Sequence, residues 1–196
     1  MKTITEIHSA NAEVHDNYAK DHDFAVSYIR RKTAANYYFS QINKAVKGRG
    51  RKWEHIQALE IGCGTGTFSQ KLISKNVQSL CLLDISPVMI DTAKKKINDE
   101  RVSFNVSSLE DFAPTKQKNY DLIFSTSFLH HLYDLDAGLN LISDMLKPGG
   151  IYIALHEPHV THQAKLIEKI DNIFERVESS LKYNLREFGL TGLAYE

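Results

Sequence analysis

Three glycines alternate with other residues in segment 60–66, which reads Glu-Ile-Gly-Cys-Gly-Thr-Gly. Glycine lets the backbone turn tightly and approach a ligand closely. The N–H groups at the start of a following helix can bind an anion such as a carboxylate. The dinucleotide fingerprint G-x-G-x-x-G would require glycine at position 67, where this chain has Thr67. The spacing therefore disfavours a nicotinamide-dependent dehydrogenase.

A single carboxylate, Asp84, ends the second short apolar run of the chain. In nucleoside-binding folds, an acid at this position accepts two hydrogen bonds from the hydroxyls of a ribose. The alternative is an acid that caps a helix or lies on the surface. Each hydrogen bond to a charged group contributes about 1.5–3 kcal/mol. Loss of Asp84 should therefore weaken ligand binding by roughly tenfold to a thousandfold or more.

Histidines follow two later apolar runs, and histidine titrates near neutral pH. His130 and His156 are therefore candidate general bases, and packing of the loop is the alternative for His130. His156, His159 and His162 are spaced by three residues. They do not form the H-E-x-x-H pattern, and Pro158 would interrupt a helix there. We therefore expect no metal site.

Short apolar runs alternate with helical stretches in the middle of the chain. Strands are predicted at 57–61, 79–84, 102–106, 120–125 and 151–155, and helices at 67–75 and from 87 to about 98. Ser86 followed by Pro87 is a typical helix start, and Lys147–Gly150 is expected to form the turn before the last strand. The alternation indicates an α/β fold with a doubly wound, mostly parallel sheet that has helices on both faces.

The two ends of the chain differ from this central part. Residues 1–50 have a helical pattern with interleaved aromatic and charged side chains, and they are predicted to form an N-terminal helical cap. Residues 51–158 would form the ligand-binding core. In residues 159–196, apolar side chains between 166 and 181 fall on one helical face, so an amphipathic helix and a short tail are expected there.

Composition limits the classes of partner. The 196 residues contain 24 basic and 24 acidic side chains, so no overall field recruits nucleic acid or an anionic membrane. Small molecules or other proteins are the expected partners. Two cysteines are too few for a secreted disulfide framework. Neither a signal peptide nor a run of about 18 apolar residues occurs, so a cytoplasmic location is expected.

The glycine segment and the second strand together resemble the first two motifs of class I S-adenosylmethionine-dependent methyltransferases. Three later segments resemble further motifs of that family in order and spacing, and the likeness covers about residues 55 to 158. The five segments are 58–67, 83–89, 107–112, 120–134 and 146–158. The resemblance implies a Rossmann-like fold and S-adenosylmethionine as cofactor.

The resemblance also implies a set of site residues. Those expected to contact the cofactor are Glu60, Gly62, Gly64 and Gly66 around its methionyl part, Asp84 on the ribose, Ile85, Met89, Ser108 and Leu109 around the adenine, and Ser125 near the transferable methyl group. Ser108 stands where the family commonly has Asp, which predicts weaker recognition of the adenine amine. Tyr18 or Tyr28 could close over the cofactor from an N-terminal helix.

The implied activity is in-line methyl transfer to a small-molecule acceptor, with oxygen or nitrogen favoured over carbon. Two alternatives remain: a catalytically incomplete cofactor-binding module, or a fragment of a longer methyltransferase. The family usually adds two antiparallel strands beyond the fifth, and no strand pattern follows residue 158. The bare edge of the fifth strand, or the C-terminal helix, could therefore pair two copies into a homodimer.

Overall fold

A computed structural model describes residues 3–18 and 32–157 of the chain. Helices and strands alternate after two N-terminal helices. In chain order the elements are α1 (Ile4–Tyr18), α2 (Lys32–Gly48), β1 (Gln57–Ile61), α3 (Ser69–Ile73), β2 (Ser79–Asp84), α4 (Pro87–Lys96), β3 (Val102–Val106), α5 (Leu109–Phe112), β4 (Tyr120–Thr126), α6 (Leu135–Met145) and β5 (Leu146–Leu155).

The five strands form one parallel sheet in the order β3-β2-β1-β4-β5. The predicted α/β fold with a Rossmann-like parallel sheet is thereby confirmed. The chain moves outward from β1 to β3 and then returns to β4 on the other side of β1. This reversal opens a crevice at the C-terminal ends of β1 and β4, which is where ligands bind in sheets of this kind.

The strands form because their apolar side chains are buried on both faces of the sheet. Phe124 of β4 packs on one face with Leu80 and residues of α2 such as Ile42. Ile123, its neighbour in the same strand, packs on the opposite face with Ile142 of α6. Side chains of adjacent strand residues point to opposite faces, so the two hydrophobic clusters hold the sheet between two layers of helices.

The last strand begins earlier than predicted. β5 starts at Leu146, which is opposite Tyr120, whereas the next paired residues are Ile151 and Leu122. Four residues therefore bulge out of β5 against one in β4. Gly149 adopts a φ of 71° within this bulge, a conformation that favours glycine. The expected turn at 147–150 is thus a bulge inside the strand.

The helices agree with the predicted ones in position but are shorter. Ser86 caps α4 as expected, since its hydroxyl oxygen accepts a hydrogen bond of 3.0 Å from the N–H of Met89. In the described part of the chain, no helix is long and apolar enough to cross a bilayer. The predicted helix at 166–181 and the residues Tyr28, His159 and His162 lie outside the described residues. The division into three regions and the homodimer stay predictions.

Candidate functional site

A cavity of about 530 Å³ lies at the C-terminal ends of β1, β2 and β4. This volume is typical of small-molecule sites, which span roughly 300–1,000 Å³. Helix α1 contributes His8, Asn11, Val14 and His15 to its wall. The hydroxyl of Ser86 also donates a hydrogen bond to Asp16, which attaches α1 to the start of α4. The N-terminal helix is therefore part of the cavity wall.

Most residues predicted from the sequence line this one cavity. They are Glu60, Gly62, Gly64, Asp84, Ile85, Ser108, Leu109, His130 and His156. These residues come from the ends of all five strands of the sheet and the segments that follow them. The structure therefore brings together side chains that are far apart in the sequence.

Three predicted residues do not line the cavity. Ser125 is fully buried, and its hydroxyl shares a hydrogen bond of 2.8 Å with the hydroxyl of Tyr152. Met89 is buried in α4. Gly66 adopts a φ of 70°, and a Cβ atom there would lie 2.8 Å from Cδ1 of Ile97. Gly66 therefore permits close packing of the loop against the end of α4.

The glycine loop approaches its neighbours too closely for other residues. Gly62 has a φ of 66°, and a Cβ atom there would lie 2.9 Å from Cδ2 of Phe128. Its N–H donates to the carbonyl oxygen of Leu83 at 2.8 Å, which ties the end of β1 to the end of β2. Gly64 also has a positive φ, of 52°. Glycine at these positions lets the backbone itself form the cavity wall.

Asp84 is oriented by backbone N–H groups on both sides. Its Oδ2 atom accepts a hydrogen bond of 2.8 Å from Gly64, and its Oδ1 atom accepts one of 2.9 Å from Ser86. A carboxylate oxygen can accept about two hydrogen bonds. These bonds hold the carboxylate at the cavity wall, and a carboxylate is the group that accepts hydrogen bonds from a ribose diol in nucleoside-binding folds.

Glu60 is a buried acid beside this loop. It is 2% exposed, and the Ser69 hydroxyl donates a hydrogen bond to it. Burial raises the pKa of Glu60, the Ser69 hydrogen bond lowers it and the charge of Asp84 raises it, and the net pKa is about 8. Without a cation nearby, Glu60 is therefore mostly protonated at neutral pH. A cation bound beside it would favour the carboxylate form.

Ser108 is the N-terminal cap of α5, and both its donor and one acceptor position are used. Its oxygen accepts a hydrogen bond of 3.1 Å from the N–H of Asp111, and its hydroxyl donates one of 2.7 Å to Oδ2 of Asp111. Because its single proton is used, Ser108 can offer a ligand only its remaining lone pair. The group it can recognise is therefore a hydrogen-bond donor, such as an amine. Nearby, Nε2 of His8 lies 3.3 Å from Oε2 of Glu110, a pair that joins α1 to α5.

Histidines form another part of the cavity wall. The rings of His130 and His131 are 4.1 Å apart between centroids, and the His131 ring lies 5.2 Å from that of His15. Burial, with the neighbouring His130 and His15, lowers the pKa of His131 to about 4. Burial also holds the pKa of His156 below its ordinary value. His131 and His156 are therefore mostly neutral at pH 7.

A buried acid that the sequence did not single out for catalysis lies behind His130. Glu157 is 5% exposed, and its Oε2 atom is 2.9 Å from Nδ1 of His130. The Glu-Pro pair after the fifth strand was visible in the sequence. Its contact with the loop after β4 depends on the pairing of β4 with β5, which no local pattern reveals.

Comparison with known proteins agrees with this geometry. A family model described as a methyltransferase domain matches residues 59–154. Malonyl-acyl-carrier protein O-methyltransferase 1 of Ilyobacter polytropus is 32% identical over 151 residues, which are 76% of this chain and 50% of that relative. The malonyl-acyl-carrier protein O-methyltransferase of Acetivibrio thermocellus is 29% identical over 185 residues, which are 88% of this chain and 59% of that relative. The chain thus spans about half the length of these relatives.

Solved structures share the fold. The complex of DhpI with SAH (S-adenosylhomocysteine) superposes with a TM-score of 0.61 at 23% identity, covering 76% of this chain and 69% of that one. The N-methyltransferase NodS of Bradyrhizobium japonicum WM9, also in complex with SAH, gives a TM-score of 0.53 at 21% identity, covering 63% of this chain and 61% of that one. At these identities the likeness shows the common architecture.

Proposed function

The chain belongs to the class I S-adenosylmethionine-dependent methyltransferases, with S-adenosylmethionine as cofactor, and we propose that it methylates an oxygen or nitrogen atom of an acceptor bound in the cavity. The observation that carries the proposal is the position of Asp84. Its carboxylate lies at the cavity wall, held by the N–H of Gly64 in the glycine loop and by that of Ser86 at the start of α4.

The groups around the cavity are chemically complementary to an adenosyl amino acid. Asp84 offers acceptor positions for a ribose diol. Ile85 and Leu109 offer apolar surface for a purine, and Ser108 offers a lone pair for its amine. Glu60 becomes anionic beside a cation, which suits an α-ammonium group. The ribose, the purine and the α-ammonium group of the cofactor therefore each have a complementary group on this chain.

The cofactor supplies an electrophilic methyl carbon attached to a positively charged sulfur. The residues of this chain contribute chiefly by orientation, because correct alignment of two reactants can lower a barrier by roughly 7–11 kcal/mol. Asp84 and the glycine loop would hold one reactant at fixed points. The histidine wall, with His130 and His156, faces the remaining space of the cavity, where an acceptor would lie.

An oxygen acceptor has the better support. Two relatives are named as O-methyltransferases of malonyl-acyl-carrier protein, whose acceptor is carried by a protein. We therefore propose an oxygen acceptor, either free or attached to a carrier, ahead of a nitrogen acceptor. The balanced charge of the chain gives no support to nucleic acid as the acceptor.

Calorimetry with S-adenosylhomocysteine tests cofactor binding, with NAD as the control ligand. The wild-type protein should bind S-adenosylhomocysteine and not NAD. Asp84→Ala should weaken binding by roughly tenfold to a thousandfold. Asp91→Ala, which removes an exposed acid from α4, is the matched control and should leave the affinity unchanged. Thermal unfolding of each variant separates loss of binding from loss of folding. Failure of the wild-type protein to bind would refute the proposal.

Turnover needs a separate experiment. Methyl-labelled S-adenosylmethionine, incubated with oxygen and nitrogen acceptors that include a malonyl thioester of pantetheine, should yield a labelled product. A protein that binds S-adenosylhomocysteine tightly but methylates none of these acceptors would favour the alternative of a cofactor-binding module.

A further inference from the structure

The hydrogen bonds of Glu157 give His130 a defined orientation. Oε2 of Glu157 lies 2.9 Å from Nδ1 of His130 and also accepts a 3.4 Å hydrogen bond from its backbone N–H. Oε1 accepts hydrogen bonds from the N–H groups of Phe128, at 2.8 Å, and Leu129, at 2.9 Å. One buried carboxylate therefore binds three consecutive backbone N–H groups and one imidazole nitrogen.

The carboxylate is the form that makes these bonds. Burial by itself would raise the pKa of Glu157, but the hydrogen bonds from His130, Leu129 and Phe128 outweigh burial and hold the pKa below its ordinary value. An ionised carboxylate only accepts hydrogen bonds. The Nδ1 atom of His130 must therefore carry the proton that it shares with Glu157, which leaves Nε2 as the unprotonated atom of a neutral ring.

The backbone around the pair is held in an uncommon conformation. Ser127 and His156, at the ends of β4 and β5, each have a φ of 53°, which costs free energy for residues other than glycine. The Ser127 hydroxyl contacts both Nδ1 of His156, at 2.7 Å, and the carbonyl oxygen of His156, at 2.8 Å. These contacts join the two strand ends and place Glu157 directly behind the loop that carries His130.

We propose that Glu157 is a positioning residue that holds His130 with Nε2 as the proton-accepting atom in the cavity, and that the methyl acceptor is a hydroxyl or amine that loses a proton. His130 lines the cavity, and its side chain is 35% exposed whereas that of Glu157 is 2% exposed. With Nδ1 directed at the buried carboxylate, Nε2 is the nitrogen that can reach a ligand. This inference rests on the proposed methyl transfer.

The proton and electron balance follows from this orientation. The acceptor atom forms a bond to the methyl carbon while the carbon–sulfur bond breaks, and the electron pair of that bond goes to sulfur. The proton of the acceptor goes to Nε2 of His130. The imidazolium that results lies beside the carboxylate of Glu157, which stabilises its charge. An ionised carboxylate acceptor, such as a malonyl group, has no proton to lose and would not require this arrangement.

Nuclear magnetic resonance tests the orientation without any acceptor. Long-range ¹H–¹⁵N correlations distinguish the two neutral tautomers of histidine, and His130→Gln identifies the His130 signals. In the wild-type protein we expect His130 to carry its proton on Nδ1. Glu157→Gln keeps an oxygen for the backbone N–H groups but removes the charge, so it should shift His130 toward the Nε2–H tautomer. Asp134→Asn, at the exposed start of α6, should leave the tautomer unchanged.

The results separate this inference from the proposed function. Binding of S-adenosylhomocysteine is measured on the same samples. If the protein does not bind this ligand, the proposed function is refuted but the positioning of His130 is not. An Nε2–H tautomer in the wild-type protein overturns the positioning role, whether or not Glu157→Gln folds.

Kinetics test the acceptor class once an acceptor is identified. His130→Gln should then lower kcat by about 10²–10⁴-fold with a smaller change in KM. Wild-type kcat in His130→Gln with a hydroxyl or amine acceptor overturns the proton-accepting role. Efficient methylation of the malonyl thioester by the wild-type protein, in preference to hydroxyl and amine acceptors, overturns the proposed acceptor class.

Discussion

Cofactor affinity should depend on pH through Glu60. Its carboxyl group is almost completely buried, and burial raises its pKa to about 8. If the α-ammonium group of the cofactor binds beside Glu60, only protein with an ionised Glu60 carboxylate can bind the cofactor. The ionised fraction is about 1% at pH 6 and about half at pH 8, and apparent affinity is proportional to that fraction. The Kd for S-adenosylhomocysteine should therefore fall about 50-fold between these two pH values.

Calorimetry at several pH values measures this dependence, and two controls isolate Glu60. Glu60→Gln cannot ionise, so its affinity should vary much less with pH. Adenosine lacks the amino-acid part of the cofactor, so its binding to the wild-type protein should not follow the ionisation of Glu60. A dependence of Kd on pH that persists in Glu60→Gln would come from the histidines of the cavity. A wild-type Kd for S-adenosylhomocysteine that stays constant between about pH 6 and pH 8 would refute the reasoning.

The same pKa predicts how stability changes with pH. The folded protein holds the proton of Glu60 more tightly than the unfolded chain does, because its pKa rises from 4.5 to about 8 on folding. The free energy of unfolding should therefore fall as pH rises through this range and then level off. Glu60→Gln removes this pH dependence. The difference in free energy of unfolding between Glu60→Gln and the wild-type protein should therefore be roughly 3 kcal/mol more favourable to the variant at pH 7 than at low pH. Chemical denaturation at both pH values measures this gain, and an identical pH dependence in the two proteins would contradict it.

Three further substitutions test the fold and the loop. Gly62→Ala should lower the free energy of unfolding by about 1–3 kcal/mol and weaken S-adenosylhomocysteine binding, because the left-handed backbone and the Phe128 ring exclude a methyl group; thermal unfolding and calorimetry measure both. Phe124→Ala should cost about 3–5 kcal/mol in urea denaturation, because Phe124 is fully buried. Burial tends to raise the pKa of Asp121, but hydrogen bonds from basic neighbours such as Arg51 hold it below its ordinary value. Acid titration of wild-type stability should therefore show a loss below about pH 4 that is smaller in Asp121→Asn.

Each of these predictions has a clear contrary result. Unchanged thermal stability and affinity in Gly62→Ala would show that the loop tolerates a side chain. A loss below about 1 kcal/mol in Phe124→Ala would contradict its place in the core. The same acid transition in Asp121→Asn as in the wild-type protein would assign that transition to other carboxylates.

The sheet could be predicted from the sequence because β1, β2, β4 and β5 contain short, buried apolar runs, and β3 alternates apolar with polar residues. The ends of β1 and β2 were also predictable, since Glu60 and Asp84 stand where strands give way to loops. The start of β5 was not, because Lys147–Gly150 has the composition of a turn. Only the pairing with β4 shows that these residues bulge from a continuous strand.

Within the site, the resemblance identified positions but not side-chain directions. Ser125 was expected near the methyl group, yet it is fully buried and its hydroxyl shares a hydrogen bond with the hydroxyl of Tyr152. Thr126, the next residue, lines the cavity instead. Glu157 could not be predicted as the partner of His130, because 27 residues separate them. Their contact requires β4 and β5 to be paired in the observed register.

A crystal structure with S-adenosylhomocysteine tests the central claim most directly. Both ribose hydroxyls should lie within hydrogen-bonding distance of the Asp84 carboxylate, with the amino-acid part beside Glu60 and Gly62. A ligand bound outside this cavity, or a ribose that makes no contact with Asp84, would contradict the assignment of the site.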